Sequence, residues 1–199
     1  MARVITVRGL PHEPRALSPV EPSALDAALA ARLSARMDRL GYLGAFFAYA
    51  AHQPAALAGF VDFTESLKGA LPDGLSEVVA LASATRLANE YELAQHIRRA
   101  RVLGFSDQWI AEATGRDESS SEMGTHTHCA HLSDDELAAR DLTHCVLRDA
   151  GHGSSSSFDV VVGQLGAQAA MGVLLLIGRY VAHACVANTL GLTSPVGQP

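Results

Sequence analysis

Lysine is almost absent from this chain: Lys68 stands alone against fourteen arginines in 199 residues. A Schiff-base mechanism would rest on that one amine, and nothing near it in sequence suggests a depressed pKa. Cysteine is scarce too. Cys129, Cys145 and Cys185 are widely spaced and odd in number, and no C-x-x-C occurs. Neither a disulfide framework nor a dithiol redox motif is indicated, and the expected compartment is a reducing, cytoplasmic one. Charged residues are 18% of the chain, fewer than usual for a soluble domain, while 48% are hydrophobic. That balance excludes a disordered chain and favours a well-buried homo-oligomer. The net charge of −6 has no basic cluster to offset it, which argues against nucleic acid as a partner. Arg98, Arg99 and Arg101 form the one dense basic group. On a helix such a group is ordinarily a solvated face or an interface, with a bound anion as the other reading.

The start, Met-Ala-Arg-Val-Ile-Thr-Val-Arg, is too polar for a signal peptide. Val160 to Gly178 carries no charge and approaches membrane-spanning length. Gln164 and Gln168 interrupt it, and Asp159 and Arg179 bound it. The reading is a buried helix or two, not a membrane partner.

Residues 1–20 are proline-rich and lack a sustained period, so they read as an extended N-terminal arm lying over the body or over a neighbouring subunit. Residues 21–195 read as one helical domain. Pro22 and Ser23 start a helix with Leu25, Leu29, Leu33 and Met37 on one face, ended by Gly41. Leu43 to Ala51 and Pro54 to Leu67 follow as helices, with His52-Gln-Pro between them. Pro72-Asp73-Gly74 reads as a turn before a helix over residues 75–88. A helix over residues 90–103 is closed by Gly104. Ser106 and Ser133 are N-caps of two further helices, and residues 116–131 and 151–157 are loops. The rest is helical to about Leu190. Strand alternation is seen only over Val4 to Val7, so the fold class is all-α.

The densest chemistry lies between Glu77 and His96. Glu92 and His96 are four residues apart, which places both on one helical face. A carboxylate beside an imidazole fixes its tautomer and raises its basicity, as proton transfer requires. His96 is therefore a candidate acid/base, oriented by Glu92 or Glu77, with Tyr91 offering a hydroxyl. The bland alternative is a capping box, with Asn89 as N-cap and Glu92 three residues on. His126, His128, Cys129 and His131 are a second cluster, but their spacing does not match common metal-ligand pairs, and no metal is expected. His183, on an apolar helix, reads as a satisfied core histidine. His52 is a candidate pocket-lining residue.

Glu77, the helix start at Asn89, Tyr91-Glu92-Leu93-x-x-His96 and Gly104-Phe105-Ser106-Asp107 together resemble the carboxymuconolactone decarboxylase and alkylhydroperoxidase D superfamily. Gly178-Arg179-Tyr180 and Asn188-Thr-Leu-Gly-Leu192 are similar to its non-redox branch. The redox branch carries a glutamate, a cysteine twelve residues on, a second cysteine after two more, and then a histidine. Here Asn89 and Glu92 stand at the two cysteine positions, so the thiolate chemistry of peroxide reduction is not expected.

The resemblance implies an AhpD-like helical domain, assembled as a trimer or hexamer, working without a cofactor. The expected activity is that of a lyase, a decarboxylase or a related isomerase acting on a small lactone, keto-acid or secondary-metabolite intermediate. His96, Glu77, Glu92 and Tyr91 would be catalytic, with Asn89 and His52 as substrate-binding candidates. The rival expectation is a non-catalytic binding or assembly protein on the same scaffold.

Overall fold

The structure is a computed structural model that describes residues 5–115 and 131–195. It is all-α, apart from one two-stranded ribbon. In chain order the elements are β1 (Thr6–Arg8), α1 (Ala27–Leu40), β2 (Tyr42–Gly44), α2 (Ala45–Ala50), α3 (Pro54–Ala70), α4 (Asp73–Arg86), α5 (Glu90–Val102), α6 (Asp107–Thr114), α7 (Asp134–Arg148) and α8 (Ser155–Leu190).

Helix α4 is the hub. Every residue from Leu75 to Ala84 is buried, because α4 packs against α5, α6, α7 and α8 at once. Its apolar side chains are shared between two clusters. Leu75 and Val79 join α3, α7 and α8, while Val78 and Leu81 join α5 and α6. A third cluster, built on Phe46, Phe47, Leu29 and Tyr91, ties α1, α2 and α5 together. A helix buried on all faces has no solvated side for a charge, so Glu77 on α4 requires partners inside the protein.

Several boundaries follow from local chemistry. Ser106 and Ser133 accept hydrogen bonds from the first turns of α6 and α7, and Ser133 forms a full capping box with Glu136. Gly41 ends α1 in the left-handed conformation, at φ +80°. Three expectations are corrected. Pro72-Asp73-Gly74 is not a turn: Pro72 is the N-cap, and Asp73 and Gly74 form the first helical turn, where an aspartate suits the helix dipole. The first helix begins at Ala27, after a short 3-10 turn at Pro22–Ala24, with Asp26 as its cap. The stretch expected to be helical from Leu43 begins instead as β2, paired in parallel with β1 through Thr6–Tyr42 and Arg8–Gly44.

Residues 9–21 cross the body without helix or strand. The Val20 N–H donates to Ala48 O, and Arg15 donates to Leu190 O at the end of α8. Helix α8 is bent at Gly166, whose φ of +80° and ψ of 164° lie outside helical space. By length and composition alone it is apolar enough to cross a membrane. Here it packs on α3, α4 and α7.

Candidate active site

Three helices converge on one buried network of ionisable groups. Glu77 projects from α4 and is 2% exposed. Its Oε2 accepts a hydrogen bond from His96 Nδ1 at 2.7 Å, and its Oε1 accepts one from Arg99 Nε at 2.7 Å. Helix α5 supplies Glu92, His96 and Arg99 from successive turns of one face. Asn89 sets where that helix starts: its Oδ1 accepts from Glu92 N at 3.2 Å.

Glu92 is shared more widely. Its Oε2 lies 3.1 Å from His96 Nε2 and 3.2 Å from Arg179 Nη1. Its Oε1 lies 2.8 Å from His183 Nε2, a close contact without the alignment of a directed hydrogen bond. The Asn89 amide nitrogen, 3.2 Å away, donates to His183 Nδ1. That assigns the proton of neutral His183 to Nε2, facing Glu92. The Tyr180 hydroxyl lies 3.1 Å from His96 Nε2.

The electrostatics follow from burial and pairing. Burial opposes charge on His96, but Glu77 and Glu92 outweigh it and push the imidazole up to about 9. Burial would raise the carboxyl of Glu77, yet His96 and Arg99 bring it below its ordinary value. Burial likewise opposes ionisation of Glu92, yet His183 and Arg179 hold it well below the carboxylate range. His183 moves down, chiefly through burial, with Arg179 adding to the effect against the pull of Glu92. Burial raises the phenol of Tyr180, which keeps its proton. At neutral pH the centre is thus an imidazolium between two carboxylates. With Nδ1–H held by Glu77, Nε2 is the nitrogen able to give and retake a proton.

Glu92, His96 and Arg179 reach the wall of a cavity of about 1050 Å³ that is also lined by α1, β2 and α3. Arginines dominate it: Arg32, Arg36 and Arg39 from α1 stand with Arg98 and Arg99 from α5, and Arg179 completes the set.

The structure therefore brings Glu77, Glu92 and His96 into direct contact. Tyr91 also lines the cavity, but its hydroxyl is turned against Gly44 and the backbone of Phe46. Asn89 is buried beneath the network as helix cap and His183 partner. His52 is exposed and hydrogen-bonds Ser18 O at 2.8 Å, among residues that do not line this cavity. Of the histidine-cysteine cluster, His126, His128 and Cys129 lie outside the described residues, and the His131 N–H donates to Glu112. Among the described residues no group of three or more His, Cys, Asp or Glu is placed to hold a metal ion.

Sequence reasoning named neither Arg179 nor Tyr180 as a site residue and read His183 as packing. A signal was present: an arginine and a histidine four residues apart, in a helical stretch with no other charge from Val160 to Leu190. Such groups are rarely buried without partners.

The helices that carry this network build an AhpD-like fold. Residues 54–134 match the Carboxymuconolactone decarboxylase family, a segment that contains Glu77, Glu92 and His96. No curated protein matches the chain. Among solved structures, a variant of the debrominase Bmp8 bound to 2,3,4-tribromopyrrole is 14% identical, with a TM-score of 0.74 over 94% of each chain. The alkylhydroperoxidase AhpD core of an uncharacterised peroxidase-related protein from Ralstonia eutropha is 17% identical. Its TM-score is 0.65 over 93% of this chain and 94% of that one. A protein of unknown function from Agrobacterium tumefaciens is 17% identical, with a TM-score of 0.62 over 74% of this chain and 96% of its own. The family match is thus confined to residues 54–134, and the fold of the chain as a whole is AhpD-like.

Proposed function

We propose that the protein is a cofactor-independent acid/base enzyme, a decarboxylase or a related lyase or isomerase, acting on a small lactone, keto-acid or secondary-metabolite intermediate. The observation that carries this reading is His96, an imidazolium fixed between Glu77 and Glu92 on the wall of an arginine-rich cavity. Loss of carbon dioxide, or of a proton alpha to a carbonyl, leaves an enolate that must be stabilised and then protonated at carbon. In this reading His96 Nε2–H supplies that proton, and Glu77 keeps the neutral ring in the tautomer that can take it back. Arg179, beside Glu92 at the cavity wall, stabilises the enolate oxygen. Tyr180 rather than Tyr91 has its hydroxyl on the working nitrogen. It accepts from the imidazolium and donates to the neutral ring, so it follows the proton in both states.

Thiol peroxidase chemistry is not part of the proposal. Asn89 and Glu92 supply no thiol, and neither Cys145 nor Cys185 lines the cavity. We further propose a soluble, cytoplasmic homo-oligomer, a trimer or hexamer. Met171 and Leu175 share an exposed apolar face of α8 that suits a second copy, while Arg179 and His183 turn inward. A non-catalytic binding role is the rival reading. One observation favours it: both ring nitrogens of His96 are already occupied, as in a purely structural ion pair.

Deuterium incorporation next to the carbonyl of small keto acids and lactones, followed by NMR in heavy water, separates the two. Wild-type protein should accelerate exchange, and folded His96→Gln should lose at least about a hundredfold of that rate. Exchange that survives in His96→Gln would sink the assignment.

A further inference from the structure

The cavity has a charge imbalance that the proton-transfer network does not account for. Four of its six arginines are paired with carboxylates: Arg32 with Asp62, Arg36 with Glu65, Arg99 with Glu77 and Asp73, and Arg179 with Glu92. Arg39 and Arg98 have no carboxylate within ion-pair distance among the described residues. They come from different helices, the last turn of α1 and the middle of α5, and both line the same cavity.

Tyr42 of β2, only 4% exposed, is part of the same cavity wall. Its hydroxyl makes no hydrogen bond among the described residues. Arg8 of β1 lies over its ring at 5.3 Å, also without a carboxylate partner. Burial raises the Tyr42 phenol, while the charges of Arg98, Arg8 and Arg39 act on it in the opposite sense. Three exposed guanidiniums without carboxylate partners and a phenol hydroxyl without a protein partner thus face the solvent side of one cavity. An incoming oxyanion would accept hydrogen bonds from all of these donors in place of water.

We infer that Arg39, Arg98 and Tyr42, flanked by Arg8, form an oxyanion-binding subsite, so that the ligand of this cavity carries a carboxylate or phosphate group held away from His96. The inference rests on the acid/base reading only for treating the cavity as the place where ligand binds. The guanidiniums make charge-assisted hydrogen bonds to the anion and Tyr42 donates a third, which fixes the ligand's orientation across the cavity.

Inorganic phosphate and succinate, titrated separately into the purified protein by calorimetry, test it. Either anion should bind, and binding should weaken at least about tenfold in Arg39→Gln/Arg98→Gln. Tyr42→Phe should weaken it by a smaller factor, and His96→Gln should leave it unchanged. Preference for one anion identifies the group as carboxylate or phosphate. Since Arg39 and Arg98 are exposed and unpaired, the double variant keeps the fold. The subsite is overturned if wild type binds neither anion, or if the double variant binds as well as wild type. It is equally overturned if the double variant instead changes oligomeric mass, which would make these arginines a subunit contact. Anion binding without any proton exchange would leave the subsite standing and remove the acid/base reading; exchange without anion binding would do the reverse.

Discussion

Glu92 does more than any other single residue to hold the site together. One carboxylate meets Arg179 and His96 through Oε2 and His183 through Oε1, and it is 5% exposed. Removing its charge would leave Arg179, itself 4% exposed, without an ion-pair partner among the described residues. An uncompensated buried charge is among the costliest defects a fold can carry. Glu92→Gln should therefore destabilise the protein by about 3 kcal/mol or more in urea denaturation. Glu92→Gln/Arg179→Met should recover part of that loss, because the orphaned charge is gone and a methionine can fill the space against Phe60 and Tyr180. A Glu92→Gln protein within about 1 kcal/mol of wild type would show that the carboxylate is dispensable to the fold. The capping-box account of Asn89 and Glu92 is half correct at this scale. Asn89 does cap the helix through Glu92 N, but the Glu92 side chain is committed to arginine and histidine rather than to the cap backbone.

At the scale of elements, the site depends on how the β1–β2 ribbon meets α5. Gly44 ends β2 and serves as N-cap of α2 at an ordinary φ of −67°, so its backbone does not require glycine. Space does: a Cβ placed there would fall on the Tyr91 hydroxyl. Gly44→Ala should thus cost about 1–3 kcal/mol through overpacking, and adding Tyr91→Phe should restore most of it by removing the clashing oxygen. Thermal melts of the two variants check this; a double variant no better than Gly44→Ala alone would place the strain elsewhere. The same junction shows what local pattern could not convey. Tyr42, Leu43 and Gly44 are all buried, so β2 shows no alternation, and its partner lies more than thirty residues earlier at β1. Helix ends were legible where a side chain or glycine did the capping, at Ser106, Ser133, Gly41 and Gly104. The start of α4 was not, because Pro-Asp-Gly serves equally as a turn or as a helix's first residues.

Across the whole molecule, the glutamate–histidine pairing was readable because Glu92 and His96 lie one turn apart and the family pattern supplied Glu77. Arg179, Tyr180 and His183 were not, since more than eighty residues separate them from their partners on α5 and only the packing of α8 joins the two. That long-range network links stability to pH. His96 titrates near 9 in the folded protein against an ordinary 6.5. Its contribution is therefore complete below about pH 6.5 and is lost as pH rises through about 9, on the order of 3 kcal/mol. His183 has the opposite sign. Burial lowers it from 6.5, so folding loses ground as pH falls below that value. Glu77 and Glu92, both lowered from 4.5, add to the acid loss further down. The limbs meet near pH 6.5, where stability should be greatest, although the sequence pI is about 5.8. Urea midpoints measured from about pH 5 to pH 9 should trace a dome. His96→Gln should flatten its alkaline limb and leave the acid limb in place, because His183 and the glutamates still titrate. A wild-type protein that gained stability between about pH 6.5 and pH 9 would show that His96 is not held as an imidazolium between its two carboxylates.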